Sequence, residues 1–178
     1  MRRPALFLDR DGVINRAVIR AGIPCPPASL DELEILPGVP AALSALKEGG
    51  YTLVVVTNQP DVARGSTSRE LVGDIHARLA DTLALDAILT CFHDDSDDCD
   101  CRKPKPGLLL QAARDWSLDL ASSFMVGDRW RDVEAGRRAG CRTFYVDRGY
   151  EQSVPAGTDF RVESLSEAAG MVLALGPR

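Results

Sequence analysis

Five short apolar runs, each ending in polar or charged residues, constrain this chain more than any other feature. They are ALFL at 5–8, closed by Asp9, then TLVVVTN at 52–58, AILTCFH at 87–93, SSFMVGD at 122–128 and TFYVD at 143–147. Runs this short and this continuously apolar fit strands covered on both faces. The third is the weakest, because Thr90 interrupts it. Helical patterns separate them. VPAALSALKEGG (39–50) ends on a glycine pair, and Thr67 with Glu70 forms a capping box for a helix over 67–83. PGLLLQAARDW (106–116) and WRDVEAGRRAG (130–140) supply two more, the latter stopped by Gly140, and SLSEAAGMVLAL (164–175) ends the pattern within the tail 152–178. Strands alternating with helices predict an α/β, doubly wound, mainly parallel sheet of five to six strands.

In such sheets ligands bind outside the carboxyl ends of the strands. That rule gathers scattered residues into one expected site. Asp9 closes the first strand, Thr57 and Asn58 the second, and Gly127 and Asp128 the fourth, while Lys103 lies in the connection after the third. Asp11 follows Asp9 by two residues, and Gly12 lets the chain turn there. One carboxylate could then attack while the other moves a proton, provided the electrophile is strongly polarised, as phosphorus beside a divalent cation is. Asp128 suits a hard cation such as Mg²⁺. Lys103 and the Thr57 hydroxyl suit phosphoryl oxygens.

FLDRDGVIN at 7–15, VVVTNQ at 54–59, CRKPKPG at 101–107 and GDRWRD at 127–132 resemble, in order, the four motifs of the haloacid dehalogenase superfamily of phosphohydrolases. The resemblance runs from about residue 5 to 150. It implies a nucleophilic Asp9 that forms an aspartyl-phosphate and a general acid/base at Asp11. It also implies phosphate binding by Thr57 and Lys103, Mg²⁺ held by Asp9, the Asp11 backbone carbonyl and Asp128, and a supporting role for Asp132.

Cys91, His93, Cys99 and Cys101 form C-x-H-x5-C-x-C immediately before Arg102 and Lys103. Four soft or borderline ligands suit tetrahedral, structural Zn²⁺. A redox pair would prefer C-x-x-C at a helix start. Cys25 and Cys141 are expected to be free thiols. The loop narrows the resemblance to a subgroup without a large cap domain, which includes the heptose bisphosphate 7-phosphatases and the histidinol-phosphate phosphatase domains. The chain is similar to the former in length and motif wording, but carries RAVIRAGIPCPPASLDELEILPG at 16–38 where those enzymes have an acidic, tyrosine-containing segment. This segment is expected to face the substrate.

A bisphosphate needs a second anion site. Arg64, Arg102 and Arg129, with Asn58, are the expected substrate contacts, Arg16 and Arg20 being weaker candidates and Arg137 and Arg138 helix exterior. Trp130 could line the pocket or simply pack, and His76 is expected at the surface. With 178 residues, one domain spanning 1–178 is the default. A net charge of -5 argues against general nucleic-acid binding. The first apolar run ends too early for a signal-peptide core or membrane span, so a cytoplasmic protein is expected. No apolar heptad or helix face calls for an obligate partner, so a monomer is expected, and an open pocket bounded by the 16–38 and 91–105 segments suits a small sugar phosphate. A phosphate-accepting receiver domain shares the sheet and the acids, but its paired acids would follow the first strand and its phosphoacceptor a later one. An inactive zinc-stabilised interaction module would not need all four catalytic positions filled.

Overall fold

A computed structural model describes residues 2–150 and 153–176, so both ends of the 1–178 span and Glu151 and Gln152 lie outside the described residues. Six strands form one parallel sheet: β1 (Ala5–Leu8), β4 (Thr52–Asn58), β5 (Ala87–Cys91), β6 (Phe124–Gly127), β7 (Arg142–Val146) and β8 (Phe160–Val162). Their order is β5-β4-β1-β6-β7-β8. The α/β, mainly parallel expectation holds. The strand beyond the five apolar runs is β8, whose three residues, Phe160, Arg161 and Val162, are too few to announce a period.

Alternation explains why the strands read as apolar throughout. Leu6, Leu8, Leu53 and Val55 face one side of the sheet, packed with α1 (Val39–Glu48), α2 (Arg69–Thr82) and α5 (Leu165–Leu175). Ala5, Phe7, Val54 and Val56 face the other, against α3 (Gly107–Asp115) and α4 (Trp130–Ala139). Helices on both faces leave the inner strands no wet side. Gly140 ends α4 in the left-handed conformation, φ 88°, as the sequence predicts.

The start of α2 is a correction. Ser68, not Thr67, is the cap: its hydroxyl accepts from the Leu71 N–H at 3.1 Å, and Glu70 takes no part. Thr67 is committed elsewhere, its N–H donating to the Asp61 carbonyl at 3.2 Å to close the preceding loop.

The 16–38 excursion contains a short hairpin, β2 (Val18–Arg20) antiparallel to β3 (Ile23–Cys25). Ala21 and Gly22 form its two-residue turn, both at positive φ, which matches the right-handed twist of paired strands. Hydrogen bonds from Arg16 N–H to Glu34 O and from Leu36 N–H to Ile14 O tie its base to the loop after β1. Among the described residues no larger insertion covers the strand ends.

Candidate active site

The carboxyl ends of β4, β1 and β6 open into a cleft of about 330 Å³. The chain runs out of β1 to one side of the sheet and returns to the other at β6, so the loops part there and leave room for a ligand.

Asp9 ends β1, its N–H extending the ladder to the Val126 carbonyl at 2.9 Å. Lys103 is 2 % exposed, and its ammonium is fully committed: to Asp9 Oδ1 at 2.8 Å, Asp132 Oδ1 at 2.5 Å and the Val56 carbonyl at 2.8 Å. Burial pushes the Asp9 carboxyl up to about 6; the Asp132 carboxylate adds to the rise and Lys103 opposes it. Asp128, buried after β6, is held well above the ordinary carboxylate range, first by burial and then by Asp9 and Asp132. Burial alone would lower Lys103, but Asp132 and Asp9 outweigh it and its pKa is raised.

Asp9, Asp128 and Asp132 bring carboxylate oxygens within 4.8 Å of one another. Asp128 Oδ1 is buried with no hydrogen-bond partner among the described residues. Lys103 is already spent on two of the three acids, so the cluster carries surplus negative charge and an oxygen in need of a partner. A hard cation with oxygen ligands meets both needs. Gly12 belongs to the same surface. It sits at φ 87°, and a Cβ there would overlap the Asp128 carboxylate. Asp132 also caps α4, accepting from the Arg129 N–H at 3.0 Å.

Asp11 is gripped by neighbours that the motifs do not single out. Asn15 Nδ2 donates to it at 3.0 Å, Gln59 Nε2 at 2.8 Å, and the fully buried Arg10 reaches both its oxygens at 3.0–3.2 Å. Gln59 stands inside VVVTNQ, so its position was visible and its partner was not. Arg10 lies between the two aspartates, where sequence gives no sign that an arginine will be buried.

Two expected site residues are placed differently from a direct substrate contact. Thr57 is buried, with its hydroxyl accepting from Gln59 Nε2 at 2.9 Å. Asn58 lines the cleft, but its amide pairs with both backbone polar groups of Lys103. His76 is a correction: it is half-buried, and its Nε2 accepts from Arg10 Nη1 at 3.0 Å. Burial and the Arg10 charge push its pKa down to about 4.

The rim of the cleft is cationic. Arg64 forks onto Asp94 at 2.6 and 2.7 Å, and Arg102 donates to Asp95 Oδ1 at 2.8 Å. Arg131, absent from the expected set, donates to the same Asp95 oxygen at 2.7 Å. Arg129 lies 3.9 Å from Asp128 and over the Tyr150 ring. Trp130 lines the rim and is 44 % exposed. Ala17, Ile23, Pro24 and Pro26 of the 16–38 segment add apolar lining to the same cleft. Arg16 and Arg20 turn away from the cleft to Glu34 and Glu32, and Arg137 and Arg138 pair with Glu134 on the α4 exterior.

Cys91, His93, Cys99 and Cys101 bring one ligand atom each within 4.8 Å of the others. The nearer separations are Cys91 Sγ to Cys99 Sγ 3.7 Å, Cys99 Sγ to Cys101 Sγ 3.4 Å, and His93 Nδ1 to Cys91 and Cys101 Sγ 3.7 and 3.3 Å. A tetrahedron with ~2.3 Å metal–sulfur bonds has edges of about 3.8 Å, so the set has the size of a metal cage. Cys25 and Cys141 form no disulfide.

A family model for haloacid dehalogenase-like hydrolases matches residues 23–140. The chain belongs to this family. It is 38% identical over 157 residues to the D-glycero-beta-D-manno-heptose-1,7-bisphosphate 7-phosphatase of Pseudomonas aeruginosa, covering 84% of each chain. It is 34% identical to the D-glycero-D-manno-heptose-1,7-bisphosphate 7-phosphatase of Thermosynechococcus vestitus over the full length of both. Among solved structures it is similar to the D,D-heptose 1,7-bisphosphate phosphatase of B. bronchiseptica complexed with magnesium and phosphate, with a TM-score of 0.83, 34% identity, and coverage of 97% of this chain and 99% of that one. In this family member, no helix among the described residues is long and apolar enough to cross a membrane.

Proposed function

We propose that this chain is a Mg²⁺-dependent phosphatase that removes the 7-phosphate of D-glycero-D-manno-heptose 1,7-bisphosphate through an aspartyl-phosphate. The observation that carries the reading is the floor of the cleft: Asp9 held by Lys103, beside a buried Asp128 oxygen that lacks a partner. The chain's likeness to enzymes named for that substrate, and to one solved with magnesium and phosphate, supports it.

Asp9, the Asp11 backbone carbonyl and Asp128 would hold Mg²⁺, which would draw charge from the phosphoryl oxygens and keep Asp9 ionised. Asp9 then attacks phosphorus as the bond from phosphorus to the C7 oxygen breaks, and Asp11 protonates the departing alkoxide. Water next attacks the aspartyl-phosphate, giving its proton back to Asp11 and releasing inorganic phosphate with Asp9 restored. Lys103, held against Asp9, would set its positive charge beside the transferring group and exchange its bond to Asp9 for one to a phosphoryl oxygen as Asp9 attacks. Asp132 fixes Lys103 from behind, and Thr57 orients the site through Gln59. Asn58 acts by locking the backbone that carries Lys103.

Arg64, Arg102 and Arg129, joined by Arg131, would take the second phosphate, while Ile23, Pro24 and Pro26 would face the C–H side of the sugar. Zn²⁺ held by Cys91, His93, Cys99 and Cys101 would leave no open position for water. Its function would be to pin the loop that delivers Arg102 and Lys103. A free metabolite of sugar-phosphate size fits a cleft of this volume, and we place the enzyme as a monomer in the cytoplasm as part of the same proposal.

The test is phosphate release with Mg²⁺ from both anomers of the heptose bisphosphate, histidinol phosphate and fructose 1,6-bisphosphate, with an Asp9→Asn control. The expected result is a clear preference for one heptose bisphosphate, abolished in the control. Better turnover of histidinol phosphate would overturn the substrate assignment, and activity surviving Asp9→Asn would overturn the mechanism.

A further inference from the structure

Asp11 has three sets of donors, and they differ in stiffness. Asn15 and Gln59 each offer one amide N–H, and both amide oxygens, Asn15 Oδ1 and Gln59 Oε1, are buried without a hydrogen-bond partner among the described residues. The Gln59 amide can rotate to present its oxygen, because its second contact, the Thr57 hydroxyl, can donate as well as accept, so Gln59 can serve Asp11 with or without its proton, whereas Asn15 also donates to the Arg16 carbonyl at 3.1 Å and keeps its N–H toward Asp11. Arg10 cannot adapt in this way. Its Nε and Nη2 form a planar fork across both Asp11 oxygens, which fixes the plane of the carboxyl group.

A fork can orient Asp11 only if something other than Asp11 holds it. The third arm of the guanidinium, Nη1, donates to His76 Nε2 at 3.0 Å. His76 stands on α2, which is packed into the core through Ile75 and Leu79. A guanidinium has no lone pair to offer, so His76 must accept, with its ring neutral and its proton on Nδ1. Burial beside Arg10 keeps it in that form at neutral pH.

We propose that His76, acting through Arg10, is a positioning residue that aims Asp11 for proton transfer to the leaving group. The proposal rests on the phosphatase reading above. It has a consequence that simple packing would not have: a misaimed Asp11 should matter in proportion to how badly the leaving group needs a proton. An alkoxide needs one, whereas p-nitrophenolate departs without it.

The experiment measures kcat/KM for the heptose bisphosphate and for p-nitrophenyl phosphate, because this parameter runs only through the step in which the leaving group departs. His76→Leu should lower the value for the sugar ester by about 30-fold, part of the ~10²–10⁴ that positioned acid catalysis supplies, and for the aryl ester by less than about 3-fold. His76→Gln, which keeps an acceptor for Arg10, should restore the sugar ester to within about 3-fold of wild type. Arg10→Lys, which keeps the charge and loses the fork, should show the same selective loss and stands in if His76→Leu does not fold. Equal losses on both esters, or a His76→Gln variant no better than His76→Leu, would overturn the positioning role while leaving the phosphatase reading intact. A wild-type protein that hydrolyses neither ester would overturn that reading and this inference together.

Discussion

The side chain of Asn58 pairs with the backbone of Lys103 like one strand with another, Oδ1 accepting from its N–H at 3.1 Å and Nδ2 donating to its carbonyl at 3.0 Å. The end of β4 thereby fixes a lysine 45 positions later in the chain. Asn58→Ala removes both bonds and leaves two backbone groups in search of water. We expect kcat/KM to fall by about 10- to 100-fold, the ~1–3 kcal/mol of an unsatisfied buried group, with KM for the bisphosphate little changed. Steady-state kinetics on the bisphosphate checks it.

Lys103 is the sole cation in direct contact with the buried acids Asp9 and Asp132 among the described residues. Lys103→Met should abolish turnover and, in the metal-free protein, cost about 3–5 kcal/mol of stability, because it leaves buried carboxylates uncompensated. Mg²⁺ should recover part of that loss. Urea unfolding with and without the ion measures both effects.

Asp9, at about 6, and Asp128 are raised in the folded protein above their unfolded values. Both groups therefore favour the folded state most at low pH, and that contribution is lost as pH rises through the folded values and the buried charges appear. Mg²⁺ must compete with their protons below that range and meets bare carboxylates above it. The rise in Tm on adding Mg²⁺ should thus be larger at about pH 7.5 than at about pH 5. His76, lowered to about 4, destabilises the fold as pH falls from its unfolded value toward 4, but does so with and without the ion, so it cancels in the difference. Asp128→Asn should flatten the dependence.

The Cys91, His93, Cys99 and Cys101 cage should hold one zinc per chain, measured by elemental analysis of protein purified without chelator. Cys101→Ser should lose the metal and lower Tm by about 10 °C, the shift that ~3–4 kcal/mol gives in a chain of this size. Retention of full stoichiometry in that variant would remove Cys101 from the ligand set.

Arg102 and Arg131 share Asp95 Oδ1, so the two arginines reach the rim together. Replacing either with Ala should raise KM for the bisphosphate by about 10-fold or more, the scale of a charge-assisted contact, and leave p-nitrophenyl phosphate unaffected. Equal effects on both substrates would point to loss of the loop instead.

Sequence alone determined the parallel α/β architecture and the edge at which chemistry gathers, because both follow from local rules. Continuous apolar runs such as TLVVVTN demand cover on both faces, and a residue that ends such a run must sit at the strand's carboxyl edge. The convergence of Asp9 with Asp128, and of Cys91 and His93 with Cys99 and Cys101, was legible for the same reason, since strand-end position and close spacing bring such residues together. Tertiary structure decided what depends on neighbours distant in the chain. His76 reads as a surface residue on α2 and becomes an acceptor for Arg10, 66 positions away. Thr67 looks like the better cap and is drawn off by Asp61, leaving Ser68 to do it. Arg131 joins the rim because the α4 N-terminus meets the loop holding Asp95. Burial, and the pairing that burial enforces, are properties of the packed sheet and its helices, and no local pattern encodes them.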